Sequence, residues 1–163
     1  MRTVAFFMLA VLFACSPGFA APVPKPKDGE NPDQARLQGT WKLETLVIGG
    51  MPPTAYNFEM TYEIRGDKLT MRSDKHTYTA VIKLETVDGL KRLAMTNHQQ
   101  VTQDGKPGEK QDDVIFGYTV DGDKLQLATR PAKDKGKITE PENPNKPGPD
   151  SLVRVFTRVK DKN

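Results

Sequence analysis

The sequence predicts an all-β domain, folded as an antiparallel up-and-down β-barrel of about eight strands. Between about Leu37 and Lys160, apolar and polar residues alternate with a period of two in many short runs, and no long run has apolar residues at helical spacing. Glycine-containing turns separate the runs, as in a meander of hairpins. A closed barrel hides the apolar face and removes both sheet edges. Alternation also allows a β-sandwich, which is the alternative architecture.

The first strand contains Trp41 and Leu43 and ends at the glycines and prolines of residues 49–53. Each later strand is recognised by alternating apolar residues. The second strand contains Phe58, Met60, Tyr62 and Ile64; the third, Leu69 and Met71; the fourth, Tyr78, Ala80, Ile82 and Leu84; the fifth, Leu93 and Met95; the sixth, Phe116, Tyr118 and Val120; the seventh, Leu125 and Leu127. The eighth spans residues 152–159, where both faces are mixed, so its inward face stays open.

Short turns and two long loops connect these strands. Gly66–Leu69 and Gly122–Leu125 have the same sequence, and their glycines can supply the positive φ of a tight hairpin. Val87–Gly89 predicts a third such turn. Residues 97–112 and 130–150 are long loops, a class that is usually functional or poorly ordered.

The first 36 residues are expected to lie outside the barrel. An apolar run at residues 4–14 follows a positive charge and is too short to span about 30 Å of hydrocarbon as a helix, which is typical of a signal peptide. Small residues at Gly18 and Ala20 place cleavage after residue 20, so we expect export to the periplasm or the extracellular space. Residues 21–36 are rich in proline and charge, which predicts a flexible tether before a domain at 37–160.

Cys15 is the only cysteine, and it lies in the predicted leader. Loss of the leader would leave no thiol for a disulfide, a nucleophile or a metal site. Alternatively, Leu12–Cys15 resembles a lipobox, in which Cys15 would carry a lipid, but Phe13 fits that pattern poorly and plain cleavage is favoured. No later apolar run approaches about 20 residues, so we expect no membrane span.

Size and charge restrict the function classes. Removing 20 of the 163 residues leaves 143, enough for one modest core. The net charge of +3, or +2 without Arg2, is too small to predict nucleic-acid binding.

The opening of the first strand carries a family resemblance. Leu37–Leu43, with Gly39 and Trp41, resembles the Gly-x-Trp opening of lipocalins and their relatives. The resemblance implies that Trp41 closes one end of the barrel. It also implies that an arginine near the end of the last strand, here Arg158, lies over the indole, a contact worth about 0.5–2 kcal/mol.

The order of four short motifs is similar to that of a group of exported proteins best known from planctomycete bacteria. The motifs are Leu37–Trp41, Gly66–Leu69, Tyr118–Leu125 and Thr157–Lys160. This resemblance covers residues 37–160 and implies a lipocalin-like fold without implying any chemistry.

No residue pattern predicts catalysis, a metal site or a cofactor. His76 and His98 lie on different predicted elements without cysteine or carboxylate at metal-ligand spacing, and we interpret them as polar residues at strand ends. Glu109, Asp112 and Asp113 could supply oxygen ligands to calcium, but they lack EF-hand spacing and a solvated loop is favoured. No serine has a Gly-x-Ser-x-Gly context, so an exported hydrolase is the least favoured function.

Two further motifs have ordinary interpretations. Arg65–Asp67 spells an integrin-recognition tripeptide, yet its place between two strands favours a hairpin turn. Four lysines make the second long loop basic, but interleaved acidic residues largely cancel their charge, which favours a solvated loop over an anionic-partner site. The lysines are Lys133, Lys135, Lys137 and Lys146.

A set of methionine and aromatic residues on inward faces is the candidate ligand site. Such side chains suit an adaptable apolar pocket, and an eight-stranded barrel can hold one small ligand. The residues expected to line it are Met60, Tyr62, Met71, Tyr78 and Phe116. Only about 90 residues remain for the wall and tight turns, however, and that count favours a narrow, filled barrel over a roomy cavity.

The leading hypothesis is therefore an exported, non-enzymatic barrel that binds a small apolar molecule or a cell-envelope partner. The alternative is an interaction module in which the two long loops carry the function and a filled barrel is their scaffold.

Overall fold

The computed structural model describes residues 31–49, 51, 54–55, 59–102, 104–131 and 139–160. The predicted signal peptide with Cys15, most of the predicted tether, Phe58 and three of the four loop lysines lie outside these residues. The elements in chain order are α1 (Pro32–Leu37), β1 (Gly39–Ile48), β2 (Thr54–Ala55), β3 (Met60–Arg65), β4 (Lys68–Ser73), β5 (Thr77–Val87), β6 (Leu90–Val101), β7 (Pro107–Lys110), β8 (Val114–Asp121), β9 (Lys124–Pro131), β10 (Thr139–Pro141) and β11 (Leu152–Arg158).

Eight of these strands form a closed antiparallel barrel. Their order around the wall is β1, β3, β4, β5, β6, β8, β9 and β11, and β11 pairs with β1 to close the circle. Each strand of the wall lies beside the next one in sequence, so the barrel is of the up-and-down type. The predicted all-β barrel of about eight strands is thus confirmed, and closure of one sheet on itself excludes the sandwich.

The strand alternation places the apolar residues inside. Tyr62 pairs with Trp41 on one side and with Met71 on the other, so these three side chains share the inward face. On β11, whose register the sequence left open, Phe156 pairs with Leu43 and is fully buried. The inward face of β11 therefore carries residues 152, 154, 156 and 158.

Two hairpins have the tight turns that their shared sequence predicts. Arg65 pairs with Lys68, which leaves Gly66 and Asp67 as a two-residue loop, and Gly66 has a φ of 62°. Gly122, with a φ of 54°, occupies the same position in the hairpin between β8 and β9. Positive φ at these positions is the reason that glycine is required there.

The prediction that residues 97–112 form a loop is wrong for most of that range. Strand β6 continues to Val101, and β7 pairs back on it as a short hairpin. The error arises at Asn97, which has a φ of 50° and lies in a bulge between β5 and β6. A bulge inserts one residue and reverses the alternation, so a pattern read with strict period two ends there although the strand does not.

The predicted loop 130–150 also contributes to the wall. Strand β10 pairs with β9 on the side that faces β8, and the Glu142 backbone N–H continues the ladder by donating to the Ala128 carbonyl at 3.2 Å. Strand β8 pairs with β9 only from Gly117 onward, so β10 occupies the space that β8 leaves. The glycine is required for this close approach, because a Cβ atom at Gly117 would lie 1.7 Å from the Glu142 carbonyl oxygen.

Replacing Gly117 with alanine is therefore expected to displace the segment at Glu142 and to lower the free energy of unfolding by about 1–3 kcal/mol, the usual cost of overpacking. Urea denaturation followed by circular dichroism measures the change. Gly148→Ala is the matched control, because a Cβ atom there meets the Ser151 hydroxyl at an ordinary 3.5 Å. Equal stability of the two variants would contradict the close approach of the segment to β8.

The folded domain begins earlier than the sequence predicts. The last residues of the predicted tether form α1, whose N-cap Asn31 accepts a hydrogen bond from the Asp33 backbone N–H at 3.0 Å, with a proline at the start of the first turn. Leu37 is fully buried in the core. A six-residue helix with so few apolar residues has no measurable period, which is why the pattern did not predict it. In the part of the chain that the structure describes, no helix has the length and apolar character needed to cross a membrane.

The buried carboxylate of Asp33 attaches α1 to the barrel. It accepts hydrogen bonds from Lys91 Nζ at 2.6 Å, from the Tyr118 hydroxyl at 3.1 Å and from Arg36 at 3.2 Å. Burial alone would raise the pKa of Asp33, but the hydrogen bonds from Lys91 and Tyr118, with the charges around them, hold it below its usual value. Burial, and then the charge of the same carboxylate, raise the pKa of the Tyr118 hydroxyl, so Tyr118 stays a hydrogen-bond donor at neutral pH.

Trp41 and Arg158 close the same end of the barrel. Trp41 is fully buried, and its indole N–H donates to the Leu37 carbonyl at 2.8 Å. The Arg158 guanidinium carbon lies 4.1 Å from the centre of the indole ring, the contact that the lipocalin resemblance implies. Arg158 also donates to the backbone carbonyls of Arg36 and Gln38, so it joins the helix to the barrel.

Candidate ligand cavity

The interior of the barrel is filled at the closed end and hollow at the other. The open-end cavity has a volume of about 750 Å³. The residue count favoured a filled barrel, but a count cannot show where along the barrel axis the side chains are large, and at this end they leave open space. The lining residues are Met60, Tyr62, Met71, Arg92, Met95, His98, Asp112, Asp113, Val114, Ile115, Phe116, Thr129, Thr139, Glu140, Pro141, Leu152 and Arg154.

Four of the five residues expected to line a ligand site lie around this cavity. Met60, Tyr62, Met71 and Phe116 come from β3, β4 and β8, and their inward direction follows from the alternation of each strand. Tyr78 does not line the cavity. Its ring lies beside that of His98, with 5.2 Å between the ring centres.

The polar side chains of the cavity were missed by sequence reasoning. Arg154 lies on the inward face of β11, because it pairs with Leu46 on one side and with Leu127 on the other. Both faces of β11 carry apolar and polar residues, so the sequence did not indicate which face points inward. His98 follows the bulge at Asn97, which turns it inward although strict alternation from Met95 would have predicted Asn97 there.

Arg154 is an unpaired cation beside the apolar lining. Its guanidinium carbon lies 5.5 Å from the centre of the Phe116 ring. Its NH1 atom is buried and has no hydrogen-bond partner, and within the described ranges no carboxylate forms a salt bridge with it. Burying a guanidinium nitrogen without an acceptor is unfavourable, since the lost hydration is not replaced.

His98 is a second polar group in the cavity wall. Neither ring nitrogen has a hydrogen bond of good geometry within the part of the chain that the structure describes, although the Asp112 backbone lies near the ring. Burial lowers the pKa of His98, and the Asp112 backbone and the Asp113 charge only partly offset that effect. The imidazole is therefore neutral at pH 7. We expected a polar residue at a strand end, and the structure instead places His98 in the cavity wall.

The carboxylates near the cavity belong to its rim. Asp112 and Asp113 are exposed, and Asp113 accepts a hydrogen bond from the Asn97 backbone N–H at 3.2 Å. Glu140 accepts two hydrogen bonds from Arg130, at 3.2 and 3.0 Å. The negative charge at the mouth is thus hydrated or already paired, whereas the positive charge of Arg154 lies beside the apolar ring of Phe116.

The geometry gives no assembled catalytic or metal-binding arrangement in the described ranges. His98 has neither a carboxylate nor a hydroxyl within hydrogen-bond distance there, and exposed His76 contacts Gln100 beside its turn. No three acidic, histidine or cysteine side chains among the described residues are grouped as metal ligands, so Glu109, Asp112 and Asp113 form no such set.

The remaining sequence motif is an ordinary turn. The Gly66 backbone N–H in Arg65–Asp67 donates to the Gln38 side chain at 2.6 Å, and its carbonyl accepts from the same amide at 3.1 Å. This tripeptide is thus held against the closed end of the barrel. Of the four loop lysines, only Lys146 is described, and it is exposed.

Comparison with known proteins adds no family to this description. The chain matches no protein-family model, and no curated protein is significantly similar to it in sequence. The candidate site therefore depends on the cavity and on the side chains around it.

Proposed function

We propose that this protein is an exported, non-enzymatic barrel that binds a small, largely apolar molecule in the open-end cavity. The observation that carries the proposal is the cavity itself, with its lining of methionine and aromatic side chains. Its volume of about 750 Å³ lies within the range of about 300–1,000 Å³ that is typical of small-molecule sites. Methionine and aromatic walls adapt their shape to apolar ligands.

The contrast between the two ends supports this assignment. At the closed end, the side chains of Trp41 and Phe156 are fully buried in the core. At the open end, Met60 and Met71 remain partly exposed although they lie on the inward face. Apolar side chains that face an interior space without being covered are typical of a binding pocket, since a purely structural core would bury them.

The alternative, an interaction module acting through two long loops, has less support. Strand β7 takes up part of the first loop and β10 part of the second. Less chain is therefore available for a partner surface than the sequence suggested, and the open-end cavity argues against the filled scaffold that this alternative assumes.

Binding of the neutral apolar probe N-phenyl-1-naphthylamine tests the proposal. Equilibrium dialysis is expected to give saturable binding of one probe per chain. Met71→Trp enlarges a lining side chain and is expected to weaken the affinity at least fivefold. The matched control is Thr70→Trp on the neighbouring outward position, which should leave the affinity within about twofold of the unchanged protein.

Absence of saturable binding in the unchanged protein would contradict the proposal. It would equally be contradicted if the Thr70 and Met71 variants, both shown by circular dichroism to be folded, lost affinity to the same extent.

A further inference from the structure

The open-end cavity contains a feature that an apolar ligand does not explain. A site built only for hydrocarbon would have no reason to keep a cation on its inner wall, because the charge has to be partly removed from water. Arg154 nevertheless occupies an inward position between Leu46 and Leu127, both buried. An anionic partner would offset the cost of removing this charge from water.

The neighbours of Arg154 do not provide that partner. Its NH1 atom has no hydrogen bond. Glu140 is bound to Arg130, and Asp112 and Asp113 are exposed at the rim. The guanidinium carbon lies 5.5 Å from the centre of the Phe116 ring, and the NH1 atom, without a partner among the described residues, can still donate hydrogen bonds.

Two further donors lie close to the same space. The phenol of Tyr62 lines the cavity, and burial raises its pKa although the nearby charge of Arg154 opposes that rise. Tyr62 therefore stays protonated and can donate a hydrogen bond. Arg92 adds a second guanidinium at the edge of the cavity, and its Nε atom is also buried without a hydrogen-bond partner.

We infer that the ligand of this cavity is an amphiphilic carboxylate, whose head group pairs with Arg154 and whose apolar body contacts Met60, Met71 and Phe116. A guanidinium presents two parallel N–H groups that match the two oxygens of a carboxylate. The inference rests on the proposed function and adds the charge and polarity of the ligand to it.

A pair of probes with the same alkyl chain isolates the head group. Decanoate and 1-decanol are titrated separately into the purified protein at pH 7 by isothermal titration calorimetry. We expect decanoate to bind at least tenfold more tightly than 1-decanol. Arg154→Met keeps a side chain of similar length without charge, and it should weaken decanoate at least tenfold while changing the affinity for 1-decanol by less than about threefold.

Two further variants separate the local charge from other effects. Arg154→Lys retains the charge without the two-pronged geometry and is expected to restore part of the preference for decanoate. Arg72→Met removes a charge from the outer face, where Arg72 pairs with Glu63 at 2.7 Å, and should leave both affinities unchanged. A similar loss in the Arg72 variant would mean that overall charge, rather than Arg154, determines the preference.

The outcomes also separate this inference from the proposed function. If 1-decanol and the neutral naphthylamine bind but decanoate has no advantage, the anionic head group is wrong and the apolar site stands. If neither decanoate, 1-decanol nor the naphthylamine binds, the proposed function fails and the inference fails with it. Equal weakening of decanoate and 1-decanol in Arg154→Met would overturn the pairing even if both bind well.

Discussion

Replacing Trp41 with alanine is expected to lower the free energy of unfolding by about 3–5 kcal/mol, the usual cost of removing a large buried aromatic side chain. Trp41 is fully buried between the barrel core and α1. Its removal would therefore leave a new void where the helix meets the barrel. The change would also remove the donor to the Leu37 carbonyl and the ring beneath Arg158. Urea denaturation followed by far-ultraviolet circular dichroism measures the loss.

Two companion variants divide the effect of Trp41 into its parts. Trp41→Phe retains an aromatic ring but no N–H group, and should cost less than the alanine variant. Combining Trp41→Ala with Arg158→Met in a double-mutant cycle should give a coupling of about 0.5–2 kcal/mol, the range for a guanidinium over an indole. A loss below about 1 kcal/mol for Trp41→Ala, or additive effects in the cycle, would contradict the closed-end packing.

Replacing Asp33 with asparagine is the second large change, with an expected loss of about 2–3 kcal/mol at pH 7. The carboxylate accepts hydrogen bonds from Lys91, Arg36 and the Tyr118 hydroxyl, and hydrogen bonds to a charged group are worth about 1.5–3 kcal/mol. Lys91 and Arg36 are about half exposed, at 48% each, so water can solvate them once the charge is gone. Because water solvates these two cations, the expected loss in the free energy of unfolding is smaller than the cost of breaking a fully buried ion pair.

The pH dependence of the same variant gives an independent measurement. The pKa of Asp33 is lowered by folding, so its charge contributes fully to stability above the unfolded value near 3.8. The contribution is lost as the pH falls through the folded value. The stability difference between the unchanged protein and Asp33→Asn should therefore be constant from pH 5 to 7 and should shrink below about pH 4. A constant difference down to pH 2 would show that the charge of Asp33 is not what attaches the helix.

Tyr118→Phe is the control for Asp33. It removes one donor to the carboxylate and leaves Lys91 and Arg36 in place, so the expected loss is about 1 kcal/mol. If this variant were as destabilised as Asp33→Asn, the effect would come from the packing of the tyrosine rather than from the carboxylate.

The barrel could be predicted from the sequence because strict alternation and tight glycine turns determine it locally. Tyr62 and Ile64 on β3, or Leu125 and Leu127 on β9, indicate their inward face without reference to any other strand. The turn at Gly66 likewise needs only its own backbone conformation.

The parts that could not be predicted depend on contacts between distant segments. The bulge at Asn97 reverses the direction of His98, and a pattern of period two has no means to anticipate an inserted residue. Arg154 lies on a strand with apolar residues on both faces, since Val153 on the outer face is also buried. Helix α1 is fixed by Asp33 through Lys91 and Tyr118, residues 58 and 85 positions away.

The candidate site was predicted only in its apolar part. Met60, Tyr62, Met71 and Phe116 follow from alternation, whereas the cation and the volume do not. The direction of Arg154 requires the register between β11 and its two neighbours. The volume depends on where side chains of different size meet along the barrel axis, which no single strand determines.

Strand β8 has a consequence for the size of the smallest unit that can fold. Residues 114–117 of β8 pair with β6, and residues 117–121 pair with β9. The first half of β8 therefore has no pairing with β9, and the second half has none with β6. Strand β10 lies beside the first half, and Asp33 of α1 reaches the second half through Tyr118. Neither β10 nor α1 belongs to the eight-stranded meander, and neither has the period-two alternation of apolar and polar residues that identifies the strands of the meander. We therefore expect the folding unit to comprise the meander together with α1 and β10, so a domain boundary drawn from the strand pattern alone would divide this unit.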